Sequence, residues 1–261
     1  MTTYTSSVAL PASHVPTFKH ALRSSVEWVG HFRHNRERLF VLPWERGAEL
    51  SAQERDAIAA SVSEFQLGES SEGKHLIRQA ASFALATGDT AYVEAAGLFI
   101  AEEQRHARDL GRFMDLAGIG RAKKAWPDVI FRWLRHRAGL ELSISVLLTA
   151  EVVADVYYAA LRDATQSALL RRLCDQILSD EATHIQFQSQ RLAMLRTGRS
   201  RRALRWIARL HRWFLGCACV VVWMHHGKAL RAGGYNWNRF RTGCFETLRR
   251  AADWMNPGRY E

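Results

Sequence analysis

The chain has no cysteine pair at the spacing of a redox motif or a zinc site. Its four cysteines, Cys174, Cys217, Cys219 and Cys244, include no Cys-x-x-Cys. That argues against a disulfide framework and leads to the expectation of reduced thiols in a cytoplasmic protein. Cys217-Ala-Cys219 has no His or Cys cluster beside it and reads as two small core residues. Proline is also scarce, with five in 261 residues. Plentiful Ala, Leu and Arg lean the chain toward helix. Long apolar runs are missing: the longest, Trp213 to Met224, has twelve residues, against the roughly 20 that a membrane-spanning helix needs. No transmembrane segment is therefore expected. The first thirty residues carry Pro11, Pro16 and scattered polar side chains, without an apolar segment after a basic start, so no secretory leader is expected either. Acidic residues are nearly absent from the C-terminal part. From Arg196 onward there are 14 Lys+Arg and 3 Asp+Glu, a net of +11, whereas the preceding residues carry 22 against 23. The basic character thus belongs to a C-terminal extension.

What is present is helical pattern. A chain that is 48% hydrophobic over this length can bury a sizeable core in one large domain, or in one domain with an appendage. The expected organisation is all-α, with an N-terminal segment (1–50) packing on a four-helix bundle (51–198), and a basic then apolar helical extension (199–261). In the N-terminal segment a short helix is expected from about Thr17 to Arg36. Ser51-Ala-Gln-Glu54 reads as a capping box opening helix A, expected to run to Ala86. Gly68 and Gly73 inside it each cost about 1 kcal/mol relative to Ala, which points to a bend or to a close backbone approach. Helix B is expected from Thr90 to Leu116, helix C from near Pro127 to Asp163, and helix D from Gln166 to Leu195. Further helices are expected from Ser200 to Leu230 and from Asn236 to Met255.

Glu103-Gln-Arg-His106 and Glu181-Ala-Thr-His184 are the most informative strings. Glu and His three apart on a helix project from one face. On helix B they occupy the seam Ala96, Phe99, Glu103, His106, Leu110, Phe113, whose steps of three and four are those of a bundle interior. A carboxylate and an imidazole there are costly to bury unless paired or bound to metal. Helix C places Glu151 amid Leu147-Leu-Thr-Ala-Glu-Val-Val-Ala154, on a seam that also holds Ile144, Leu148, Asp155 and Tyr158. Two Glu-x-x-His pairs plus one Glu from each of two further helices form the ligand set by which a four-helix bundle holds two iron or manganese ions. Glu103, His106, Glu151, Glu181 and His184 supply five of the six, and the sixth belongs on helix A. The alternative is a bundle with buried salt bridges and no metal, but the seams of helices B and D carry no cation besides the histidines.

From about Ser51 to Leu195 the chain resembles the ferritin-like di-iron carboxylate superfamily. Leu67-Gly-Glu-Ser-Ser71 with Phe99-Ile-Ala-Glu-Glu-Gln-Arg-His-Ala107 is similar to elements of its rubrerythrin-like branch. The resemblance implies Glu69 as the helix A ligand, with Glu72 one turn on as the alternate, and Glu151 as the helix C ligand. It also implies that Glu102 and Asp180, each preceding a ligand Glu, brace the His of the opposite helix, since a ligating His usually donates its outer N–H to a carboxylate. Asp155, four residues after Glu151, is a candidate further ligand or a surface salt-bridge partner. Tyr158 is a candidate neighbour of the site. The chain departs from a rubrerythrin in having no Cys-x-x-Cys electron relay.

These readings make the expected cofactor two Fe ions, with Mn/Fe as the variant. The expected activity is a non-haem di-iron oxidoreductase, an oxygenase or oxidase using O2 and an external electron donor on a small, apolar substrate. Leu98, Phe99, Leu147, Leu148 and Ile177 would shape an apolar cavity for it, or merely fill the core. The alternatives are a ferroxidase or ferritin-like iron-handling protein, and an enzyme like the transfer-RNA hydroxylases that uses its basic extension. Residues 196–213 could contact an anionic membrane surface or RNA, so peripheral attachment to a membrane and a homodimer are both left open.

Overall fold

In a computed structural model, residues 22–70, 73–122 and 139–260 are described. They are all-α, with no strand among them. In chain order the helices are α1 (Ser25–Arg36), α2 (Ala52–Glu69), α3 (Lys74–Thr87), α4 (Ala91–Ala117), α5 (Leu140–Asp163), α6 (Ala168–Leu195), α7 (Arg201–Ala232) and α8 (Trp237–Trp254).

The helix starts follow local chemistry. Ser51 caps α2: its hydroxyl accepts from Glu54 N at 3.2 Å, and Glu54 Oε2 accepts from Ser51 N at 2.8 Å. A second capping box, Ser24 with Glu27, opens α1. Ser24 is extended, so the N-terminal helix begins later than Thr17; residues 17–21 lie outside the described residues.

The single helix A expected from Ser51 to Ala86 is instead two. Gly73 sits at φ +62°, a left-handed conformation that side chains other than glycine rarely adopt. A Cβ there would also run into the Ile100 side chain. Helix C also starts later than expected: Gly139 is extended at φ −68°, ψ 174° and caps α5. The expected stretch from Pro127 to Arg137 lies outside the described residues.

The central packing is α5 against α6, with α4 against α2, α3 and α6. Ile58 and Val62 on α2, Phe99, Leu110 and Phe113 on α4, Ile144, Leu148 and Val152 on α5, and Leu170 and Ile177 on α6 are all buried. The N-terminal helix α1 lies along α4, and Trp28 and Phe32 enter the core. The C-terminal helices pack on the bundle. α7 packs on α2 and α5, and α8 on α5, α6 and α7. They close the outer side of α5, which explains why that helix can be apolar nearly all round. Their approach is close: a Cβ at Gly233 would run into the Ala160 carbonyl on α5.

Two helices are long and apolar enough to cross a membrane by length and composition alone, Leu140–Asp163 and Arg201–Ala232. A count of uninterrupted apolar residues misses them, because isolated polar residues break the runs. The first is 72% buried across its apolar window, as a core helix is, and the second only 28%. Cys219 is buried as expected, but Cys217 is exposed.

Candidate metal centre

Glu69 ends α2, Glu103 and His106 face inward from α4, Glu151 from α5, and Glu181 and His184 from α6. Their ligand atoms form two groups, each gathered within 4.8 Å: Glu69, Glu103, His106 and Glu181 in one, and Glu103, Glu151, Glu181 and His184 in the other. Glu103 and Glu181 belong to both. All six are buried except Glu103, which is partly so. Glu72 lies outside the described residues. Asp155 is not in the cluster. Although on the Glu151 side of α5, its carboxylate accepts from Thr247 Oγ1 at 2.9 Å and lies 3.6 Å from Arg250, so α8 takes it.

Both imidazoles turn Nδ1 into the cluster and Nε2 outward. His184 Nε2 is 2.9 Å from Glu102 Oε2, and His106 Nε2 is 3.0 Å from Asp180 Oδ2. Each His is thus braced by the acid beside the Glu of the opposite helix. A proton on Nε2, donated to these carboxylates, leaves the Nδ1 lone pair facing the carboxylates of the cluster. Asn35 on α1 ties the two braces together, donating from Nδ2 to Glu102 Oε1 at 2.7 Å and to Asp180 Oδ1 at 2.8 Å. Arg105 and Gln176 also donate to Asp180, at 2.7 Å and 3.1 Å. Tyr158 donates to Glu69 Oε1 at 2.6 Å, and Gln188 Nε2 to Glu151 Oε1 at 2.8 Å.

The inner atoms are another matter. Glu103 Oε1, both Glu181 carboxylate oxygens, His106 Nδ1 and His184 Nδ1 are buried without a hydrogen-bond partner. His184 Nδ1 stands 2.8 Å from Glu103 Oε1, but the pair lacks hydrogen-bond alignment. Buried polar atoms are otherwise almost always satisfied, so five orphans facing one another are a strained arrangement for side chains alone. Oxygen and imidazole nitrogen are the donors that suit iron and manganese. The residues fit a metal, and this cluster could hold one.

The electrostatics carry the same strain. Burial, then the neighbouring Glu103 charge, push the Glu69 carboxyl up to about 8. Burial and the facing Glu151 raise Glu181 well above the carboxylate range. Burial opposes protonation of His184, but Glu103 and Glu102 outweigh it and raise the imidazole well above its ordinary value. His106 is raised in the same way: the bond to Asp180 and the Glu103 charge outweigh burial. Asp180 is the opposite case. Burial would raise it, yet His106 and Arg105 hold it well below the usual carboxylate range. The brace is therefore a firm anion, while the inner carboxyls await positive charge.

No family model, curated protein or solved structure matches this chain significantly.

Asn35, Gln176 and Arg105 were not readable as parts of the site. Asn35 comes from outside the bundle and has no motif; only its distances reveal it. Phe99, Leu148 and Ile177 are core residues, and Phe99 packs edge-on to His184 with centroids 4.7 Å apart. A surface cleft of about 480 Å³, lined by Arg55, Ser63, Glu64 and Gly120 among others, contains none of the six cluster residues.

Proposed function

We propose that the cluster holds two iron ions and that the protein is a non-haem di-iron oxidoreductase, an oxygenase or oxidase acting on an apolar small molecule. The observation that carries this reading is the sharing of Glu103 and Glu181 between two ligand groups, each completed by one His and one further Glu. A carboxylate has two oxygens to offer, so Glu103 and Glu181 would serve both ions, and a Glu-x-x-His from each of two helices with one Glu from each of two others is the set that bundle di-iron sites use. The resemblance to the ferritin-like superfamily agrees with it.

When bound, such a metal pair supplies O2 activation and redox equivalents. The chain's own residues do the rest. Glu102 and Asp180 fix the imidazole tautomers and orientations. Tyr158 keeps its proton, since burial and then the Glu69 charge raise its pKa well above the ordinary value, and so holds one oxygen of Glu69. Phe99, itself buried and packed edge-on to His184, would shield that side of the cluster from bulk water. No Cys-x-x-Cys pair is present to relay electrons, so reducing equivalents come from a separate donor.

The test is anaerobic loading with Fe(II), followed by an O2 pulse watched optically. The reading expects a change that saturates at about two irons per chain. Uptake far beyond that would favour iron storage, and no response would remove the reading. Metal analysis of the same protein distinguishes Fe/Fe from Mn/Fe.

A further inference from the structure

We propose that the exposed face of α7 docks the protein on an anionic lipid bilayer. This inference stands apart from the metal centre and would hold without it. The inner face of α7 is accounted for: His211, Leu215, Ala218, Cys219, Val222 and His226 are buried against the bundle and α8. The outer face carries Trp206, Leu210, Trp213, Cys217, Val220 and Met224, all exposed. Trp206, Trp213 and Met224 are 62%, 69% and 76% exposed, far more than residues that merely edge a core. The spacing of the six is four, three, four, three, four. At 100° per residue they fall within a sector about 80° wide, running about 27 Å along the helix. An apolar stripe of that length with no protein against it is unusual for a surface that faces only water.

Charge identifies the occupant. α7 contains no Asp or Glu. Arg202, Arg205, Arg209 and Arg212 lie along one edge of the stripe, and Arg201 just beyond. None of the five is paired with a carboxylate among the described residues. Arg209 instead lies over the Trp206 ring at 5.2 Å, and Arg212 over Phe245 at 5.8 Å, where Arg241 of α8 adds a further cation at 6.0 Å. Arginines with apolar stems beside a Trp-, Leu- and Met-bearing stripe match an interface of anionic headgroups over acyl chains.

A second copy of the chain fits less well. A two-fold contact brings the same patch against itself, and here that sets unpaired arginines against arginines. A nucleic acid would satisfy the arginines but gain nothing from Leu210, Val220 and Met224.

Cys217 provides a local probe, because the other three cysteines are buried. An environment-sensitive fluorophore on Cys217 should shift to the blue with vesicles of equal parts phosphatidylcholine and phosphatidylglycerol. It should not do so with phosphatidylcholine alone, and the unlabelled protein should float with the mixed vesicles. Raised salt should weaken binding, and R205E/R209E should weaken it tenfold or more. L210E/M224E should remove the blue shift. Both pairs are exposed, so far-UV circular dichroism should remain that of wild type, and rescue of binding by R205K/R209K separates charge from misfolding. Failure to float with mixed vesicles would overturn the proposal. So would a blue shift that needs no lipid and grows with protein concentration, which indicates a second copy, or one produced by RNA but not by vesicles.

Discussion

Asn35 has one amide nitrogen and two carboxylates to serve. By donating to Glu102 and Asp180 together, it ties α1 to the outer side of both imidazoles. Removing a group that orients a metal-ligating His typically costs about 10- to 100-fold in metal affinity. Asn35→Ala and Glu102→Gln are expected to lower iron affinity by about that factor while the fold persists, as read by anaerobic titration and circular dichroism. Two other histidines are buried for structural reasons. His226 takes a 2.9 Å contact with Ser61, near Glu64 at 3.7 Å, and His211 a 2.9 Å contact with Thr149. Burial, then His225, lowers His226 to about 4, and burial, then Arg196, lowers His211 to about 4. Between 6.5 and about 4 the unfolded chain binds protons that the folded one refuses. Their contribution is therefore complete above 6.5 and is lost as pH falls through that window. Each accounts for at most about 3 kcal/mol. Urea unfolding at pH 7 and pH 5 should show a smaller pH dependence in His226→Gln than in wild type; an unchanged dependence would contradict the assignment.

At the scale of elements, the break between α2 and α3 places Glu69 at the end of its helix. Gly73→Ala would strain a positive φ by about 1–2 kcal/mol and press on Ile100, for a total loss of about 2–4 kcal/mol in thermal or urea unfolding. No measurable loss would mean that the helix can run on through this point. The helices that carry Glu-x-x-His were legible because a Glu and a His interrupt an otherwise apolar three-four seam. Helix A was legible in part: Gly73 pointed to a bend or close approach, but the helical pattern on both sides of it hid the division into two helices. The bracing acids were legible by position, each next to a Glu of the cluster. Asp155 was legible only as a choice between a further ligand and a salt-bridge partner, because it shares a face with Glu151; Thr247 and Arg250 on α8 decide for the second. Asn35 had no pattern at all, since the contacts that define it join segments far apart in sequence, whereas Gln176 lies one turn before Asp180 on the same helix but belongs to no motif.

At the scale of the whole molecule, six side chains from four helices converge, and the C-terminal helices complete the wall behind α5. A cluster of inner carboxyls and imidazoles with five buried atoms that lack a hydrogen-bond partner is costly to fold on its own. Anything that binds the folded state alone stabilises it by mass action. Iron is therefore expected to raise the midpoint of thermal unfolding by several degrees, and a chelator to reverse the gain. The most direct test uses the sharing of ligands. Glu103 belongs to both groups and Glu69 to one, so metal content after growth in iron-rich medium should be about two equivalents in wild type, about one in Glu69→Ala and near none in Glu103→Ala. Equal metal content in wild type and Glu103→Ala, or none in wild type, would contradict the account.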